Sequence, residues 1–157
     1  MRFSSILFAT ALVLSPLAFA DDAIQLDLAG KPFAAQKLVV LHTVNNDEKY
    51  SEITVEKRNE VTKALDRINE ILADDKPLSS VDANARQQAL ADQQLINKAL
   101  EQAKLDSRMV CMKENVIGSN LPKRVCRTAA AQKRLYAETQ DALKGKQKSM
   151  QVNVQNN

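Results

Sequence analysis

The chain has 157 residues, a formal charge of +3, no tryptophan, two cysteines, one histidine and three glycines. That length suits one domain, and Gly30, Gly118 and Gly145 lie too far apart to form a phosphate-cradling loop. With so few aromatics there is no stacking platform for single-stranded nucleic acid, and His42 is the only imidazole base on offer.

Residues 1–20 read as a cleavable secretory signal. Arg2 supplies the positive start, Ile6 and Leu14 bound the apolar stretch, Ser15-Pro16 breaks it, and Ala18-Phe19-Ala20 is a small-x-small site that predicts cleavage after Ala20. The apolar stretch is too short to anchor in a bilayer, and no cysteine follows the site to carry a lipid. The expected product is 137 residues with no transmembrane segment, in the periplasm or secreted, where cysteines oxidise. Its aromatics are Phe33, Tyr50 and Tyr136, so Ala, Leu, Val and Ile must fill a modest core.

Ile24, Leu26 and Leu28 alternate with polar residues at the period of a half-buried strand. Gly30-Lys31-Pro32 turns the chain, and residues 37–44, rich in Leu and Val, predict a second, more buried strand ending at Asn45-Asn46-Asp47. His42 lies in that run without a motif around it. From about 51 to 73 the period becomes helical: Val61, Leu65, Ile68 and Leu72 share a face, with Ser51 or Thr54 as cap. Residues 74–80, Asp-Asp-Lys-Pro-Leu-Ser-Ser, break the chain, and Ser79 or Ser80 is placed to cap a second helix over about 81–104. The apolar cluster of that helix, Leu95, Ile96, Ala99, Leu100 and Ala103, lies in its C-terminal half.

Two short runs rich in β-formers follow, each holding a cysteine: Met109-Val110-Cys111-Met112 and Arg124-Val125-Cys126. Gly118, Ser119, Asn120 and Pro122 between them are turn residues, so 109–127 predicts a hairpin with one cysteine on each strand. Closing a loop of fourteen intervening residues removes about 3 kcal/mol of unfolded-chain entropy in the entropic model. A redox pair of the thioredoxin type has two residues between its cysteines, and a zinc site needs three or four ligands, of which His42 is the only further candidate. The spacing therefore favours a structural disulfide, with no metal and no cofactor expected; a thiol-active pair is the alternative. Thr128 is placed to cap a third helix over about 129–146, on which Leu135, Tyr136, Thr139, Ala142 and Leu143 share a face. Lys144, Lys146 and Lys148 complement its dipole, Gly145 is placed to end it, and 149–157 reads as a flexible tail.

The pattern from Val110-Cys111 through Gly118-Ser119 to Arg124-Val125-Cys126-Arg127-Thr128 resembles that of small exported proteobacterial proteins of unknown function. The likeness covers about residues 110–128 and implies an envelope protein with a paired-cysteine hairpin. It brings no activity, substrate or catalytic residue, and the tryptophan such proteins often carry in the next helix is missing here.

The fold expected is α+β and helix-dominated, with three helices, a disulfide-stapled hairpin and two N-terminal strands, forming one exported domain over 21–148. An all-α domain with an ordered hairpin is the close alternative. Charge is divided along the chain: residues 21–100 carry a net −4 and residues 101–157 a net +6. No nucleophile elbow or His-Glu-x-x-His helix is present, and the carboxylate pairs Asp47-Glu48 and Asp74-Asp75 sit in turn-like contexts. The expected function is therefore a non-catalytic binding or structural component of the cell envelope, not an enzyme. Its partner would be an anionic envelope component or another envelope protein, met at the hairpin by Lys113, Asn120, Lys123, Arg124 and Arg127. The alternatives are a thiol-active protein or small enzyme using Cys111 and Cys126, and a periplasmic holdase, for which the Ala- and Gln-rich helices speak.

Overall fold

The computed structural model describes residues 24–73, 76–115, 117–118 and 120–155, the last nine by their backbone. The predicted signal segment, residues 1–20, and Asp74-Asp75 lie outside the described residues. Among the described residues four α-helices and one hairpin make up the fold, in the order α1 (Phe33–Asn46), α2 (Val55–Ile71), α3 (Ala83–Ser107), β1 (Met109–Asn115), β2 (Pro122–Thr128) and α4 (Ala129–Gln155). It is thus a helix-dominated α+β fold, with one helix more than the sequence predicts.

α2 and α3 pack antiparallel and form the centre. On α2, Val61, Ala64, Leu65 and Ile68 are fully buried, and they meet Ala89, Ile96, Leu100 and Ala103 of α3. Both sets repeat at three- and four-residue intervals, the signature of a single buried stripe. Burying each large aliphatic side chain contributes about 2 kcal/mol, and small residues at Ala64, Ala89 and Ala103 let the helices approach closely. Across the pair, Arg67 embraces Asp92 with two hydrogen bonds, one of 3.0 Å through Nε. The Asp92 side chain is 8% exposed and that of Arg67 41%, so Asp92 depends on its partner more than Arg67 does.

Local chemistry sets the helix ends. Thr54 accepts from the Lys57 N–H at 3.2 Å and starts α2 as predicted. Asp82 caps α3, accepting from the Asn84 and Ala85 N–H groups at 3.0 Å each. The serines expected there instead sit in a 3-10 turn, Leu78–Ser80, which Arg86 holds by donating to the carbonyls of Leu78, Ser79 and Val81. Thr128 caps α4, accepting from the Ala131 N–H at 3.1 Å. The helix runs through Gly145 to Gln155 where the sequence predicts an end near 146. One glycine in a helix interior costs about 1 kcal/mol, too little to stop a helix by itself.

The two predicted N-terminal strands do not form; among the described residues the only sheet is the hairpin. Residues 37–44 belong to α1, which buries Phe33, Val40, Thr43 and Val44 at helical spacing and leaves Leu38 and Val39 outside. The β-branched residues of that run mimic a strand, and the apolar side chains on both sides of the helix hide its period.

Residues 24–28 keep the predicted alternation in their burial, with Leu26 and Leu28 inside, yet they pair with no described strand. Carboxamide side chains take that place. Asn97 of α3 accepts from the Leu26 N–H at 2.7 Å and donates to the Leu26 carbonyl at 2.9 Å. Gln36 of α1 does the same for Asp27, with both bonds at 2.8 Å, and Gln93 accepts from the Leu28 N–H at 2.9 Å. The Tyr50 hydroxyl accepts from the Ile24 N–H at 3.0 Å. Asn97 and Gln36 each present the donor and acceptor a neighbouring strand would supply, and Gln93 an acceptor, so these backbone groups are satisfied without a sheet.

The core ends at Ala103, and after Ser107 no described residue is buried. Hairpin and α4 together form an arm on a body that buries its apolar surface without them. No helix among the described residues is long and apolar enough to cross a membrane.

Candidate functional site

The arm is where the sequence places its contact residues, and strand register decides which of them meet. β1 and β2 are antiparallel, with Cys111 opposite Cys126, Lys113 opposite Arg124 and Glu114 opposite Lys123. Side chains alternate along a strand, so Met109, Cys111, Lys113, Arg124, Cys126 and Thr128 share one face. Val110, Met112, Glu114, Lys123, Val125 and Arg127 share the other. Cys111 and Cys126 are joined by a disulfide, and both are exposed.

The five predicted contact residues are therefore divided. Lys113 and Arg124 stand directly across from each other on the open disulfide face, both exposed, and neither forms an ion pair with a described residue. Like charges directly opposite on a hairpin are unfavourable, and no carboxylate of the hairpin shares their face. Lys123 and Arg127 lie on the other face. Arg127 reaches along the strand to Glu114 and holds both carboxylate oxygens, one at 3.0 Å. That contact keeps the Glu114 carboxyl below its ordinary range and raises the arginine. Asn120 is exposed at the tip. The tip also exposes Ile117 and Leu121, and Gly118 turns the chain there with a φ of +85°, a conformation that favours glycine.

A polar clasp fastens the arm to the body. The Glu52 carboxylate, just ahead of α2, accepts from Arg134 at 2.9 Å and from the Thr128 hydroxyl, while the Glu52 N–H donates to the Ser107 hydroxyl at 2.9 Å. Beside it Lys133 pairs with Asp106 at 3.0 Å, and the Ala129 N–H donates to the Arg108 carbonyl at 2.8 Å. Hydrogen bonds from Arg134 first and Thr128 second hold the Glu52 carboxyl below its ordinary range. Asp106 is lowered by the Gln102 amide and then by Lys133.

Because both folded pKa values are depressed, the clasp is complete above about pH 5 and is lost as pH falls through the folded values. Amide exchange should show it: protection of the first turn of α4 falls in acid before that of α2 and α3. The pair Glu52→Gln, Asp106→Asn should show the loosened turn already at neutral pH. An acid dependence equal to wild type in that variant would contradict the assignment. Sequence reasoning misses the clasp because Glu52 and Arg134 are 82 residues apart.

The body offers open grooves, one of them lined by Glu52, Lys57, Glu60, Lys98 and Asp106 beside the clasp. Another, of about 790 Å³, is lined by residues 28–33 on one side and by Leu72, Lys76, Pro77, Leu78 and Ser79 on the other. No nucleophile and base face each other there. His42 lies exposed on α1, and Asp47 accepts from the Lys49 N–H in a 3-10 turn. Among the described residues no three His, Cys, Asp or Glu side chains gather to hold a metal.

The arrangement is a helical α+β body bearing a disulfide-braced β-arm, on which Lys113 and Arg124 meet no carboxylate among the described residues. Comparison with family models, with curated proteins and with solved structures finds no match to the chain.

Proposed function

We propose that the protein is a non-catalytic component of the cell envelope, periplasmic or secreted, whose hairpin binds an anionic partner. One observation carries the reading: Lys113 and Arg124 are held opposite each other, exposed and without a carboxylate on their face. A phosphate or carboxylate placed between them relieves their repulsion, and the disulfide two residues away on each strand lowers the ordering cost of the contact. Lys123 and Asn120 add to the site from the other face and the tip. Arg127 serves it by neutralising Glu114. The signal segment and the likeness of residues 110–128 to small exported proteins support the compartment.

Binding to lipopolysaccharide, anionic phospholipid and soluble peptidoglycan fragments tests this, using the exported, oxidised protein. The pair Lys113→Glu, Arg124→Glu should weaken binding at least tenfold at low salt, and wild-type binding should fall as salt rises. Unchanged binding in that variant would remove the reading. A second reading, thiol–disulfide exchange, draws on the exposure of both cysteines. In it a partner dithiol is oxidised while Cys111 and Cys126 become thiols. Resistance of the bond to a mild dithiol at the potential of the compartment would dismiss it.

A further inference from the structure

We infer that the anionic partner is a lipid surface and that the hairpin tip enters it, with Ile117 and Leu121 reaching the acyl boundary and Lys113, Lys123 and Arg124 meeting the phosphates. The inference rests on the anion-binding reading of the hairpin and narrows it.

The tip is unusual in what it exposes. Ile117 is 103% exposed and Leu121 78%, at the end of the arm opposite the one clasped to the body. Two large aliphatic side chains at a hairpin end do nothing for a core that closes at Ala103. Their disposition matches a wetted interface. Lys113 and Arg124 are each two residues behind the last strand pair, Asn115 and Pro122, and Lys123 is one behind. At about 3.4 Å per residue, the cations sit roughly 7–10 Å behind the apolar end. That is the depth over which an interfacial segment passes from headgroups into acyl chains.

Charge is arranged to the same end. Glu114 is the only acidic residue of the hairpin, and Arg127 holds it in a two-point ion pair. Lys113, Lys123 and Arg124 thus approach the surface with no carboxylate to repel it. Neither apolar tip nor basic collar alone would hold the protein on a membrane; together they give the two signals that stable surface attachment requires. The disulfide braces the two strands directly behind the collar.

The chain has no tryptophan, so Ile117→Trp reports the tip alone. With vesicles containing phosphatidylglycerol, its emission should move to the blue and be quenched by bromines placed high on the acyl chains; phosphatidylcholine vesicles should do neither. In sedimentation with the same vesicles, wild type should bind. The variants Ile117→Ser, Leu121→Ser and Lys123→Glu, Arg124→Glu should each bind at least tenfold more weakly, with helical content unchanged. Sedimentation of Ile117→Trp without a blue shift, or full binding of the serine variant, would overturn insertion and leave the anion reading standing. Absence from phosphatidylglycerol vesicles, combined with charge-sensitive binding to peptidoglycan fragments, would overturn the lipid assignment alone. Absence of binding to every anion would overturn both.

Discussion

Replacing Asn97 by alanine is expected to lower stability by about 3 kcal/mol and the melting midpoint by roughly 10 °C. The change removes two hydrogen bonds at once and leaves the N–H and carbonyl of Leu26, a residue 1% exposed, without partners. The segment over 24–28 has no neighbouring strand to replace them. Leu26 and Leu28 are core residues, so loosening their backbone also opens the packing against α3. Gln93→Ala, which removes a single bond to Leu28, should cost about 1 kcal/mol. Denaturant melts of the two variants check the ranking. A cost for Asn97→Ala no larger than that of Gln93→Ala would show that the carboxamide is not the substitute for a strand.

Reduction of Cys111–Cys126 is the second large effect, and the structure changes where it should fall. From the sequence, a staple in a thin-cored protein would support the whole domain. In the structure the hairpin adds no buried residue to the core, and the clasp at Glu52, Asp106 and Ser107 is its link to the body. The roughly 3 kcal/mol of the entropic model should therefore be lost mainly within the hairpin. Amide protection across β1 and β2 should drop strongly on reduction. The melting midpoint of the helices should move by far less than the roughly 10 °C expected if the two were fully coupled. A fall of that size would tie the arm to the core after all.

Much of the fold was legible because its signals are local. The stripe of Val61, Leu65 and Ile68, the caps at Thr54 and Thr128, and the turn residues around Gly118 each act within a few positions. The pairing of Cys111 with Cys126 followed from their place on two strands of one hairpin. α1 was not legible, because a helix with Val39 and Leu38 outside and Val40 and Val44 inside has no clear polar face. Over residues 24–28 the alternation is a local signal, but what meets their backbone is not, since Asn97 lies 71 residues away and nothing local marks it as a backbone mimic. At the candidate site, basic residues near a turn were visible as a cluster. Their division between two faces, and the engagement of Arg127 by Glu114, needed the strand register.

The same register explains why the arm is the part of the molecule to examine for function. The core closed by α1, α2, α3 and the segment over 24–28 takes no residue from beyond Ser107. Those residues nevertheless include a braced hairpin with a cation pair, an exposed apolar tip, and a helix whose Leu135, Tyr136 and Leu143 face solvent. Surface that stability does not require, and that exposes apolar and like-charged groups together, is where a binding role is best sought.

The most direct test is a residue-by-residue map of amide shifts in the oxidised protein during titration with phosphatidylglycerol nanodiscs, lipopolysaccharide and peptidoglycan fragments. At least one of these anions should perturb residues 111–126 while residues 33–103 keep their positions. Perturbation confined to the body, or none with any of the three, would contradict the account.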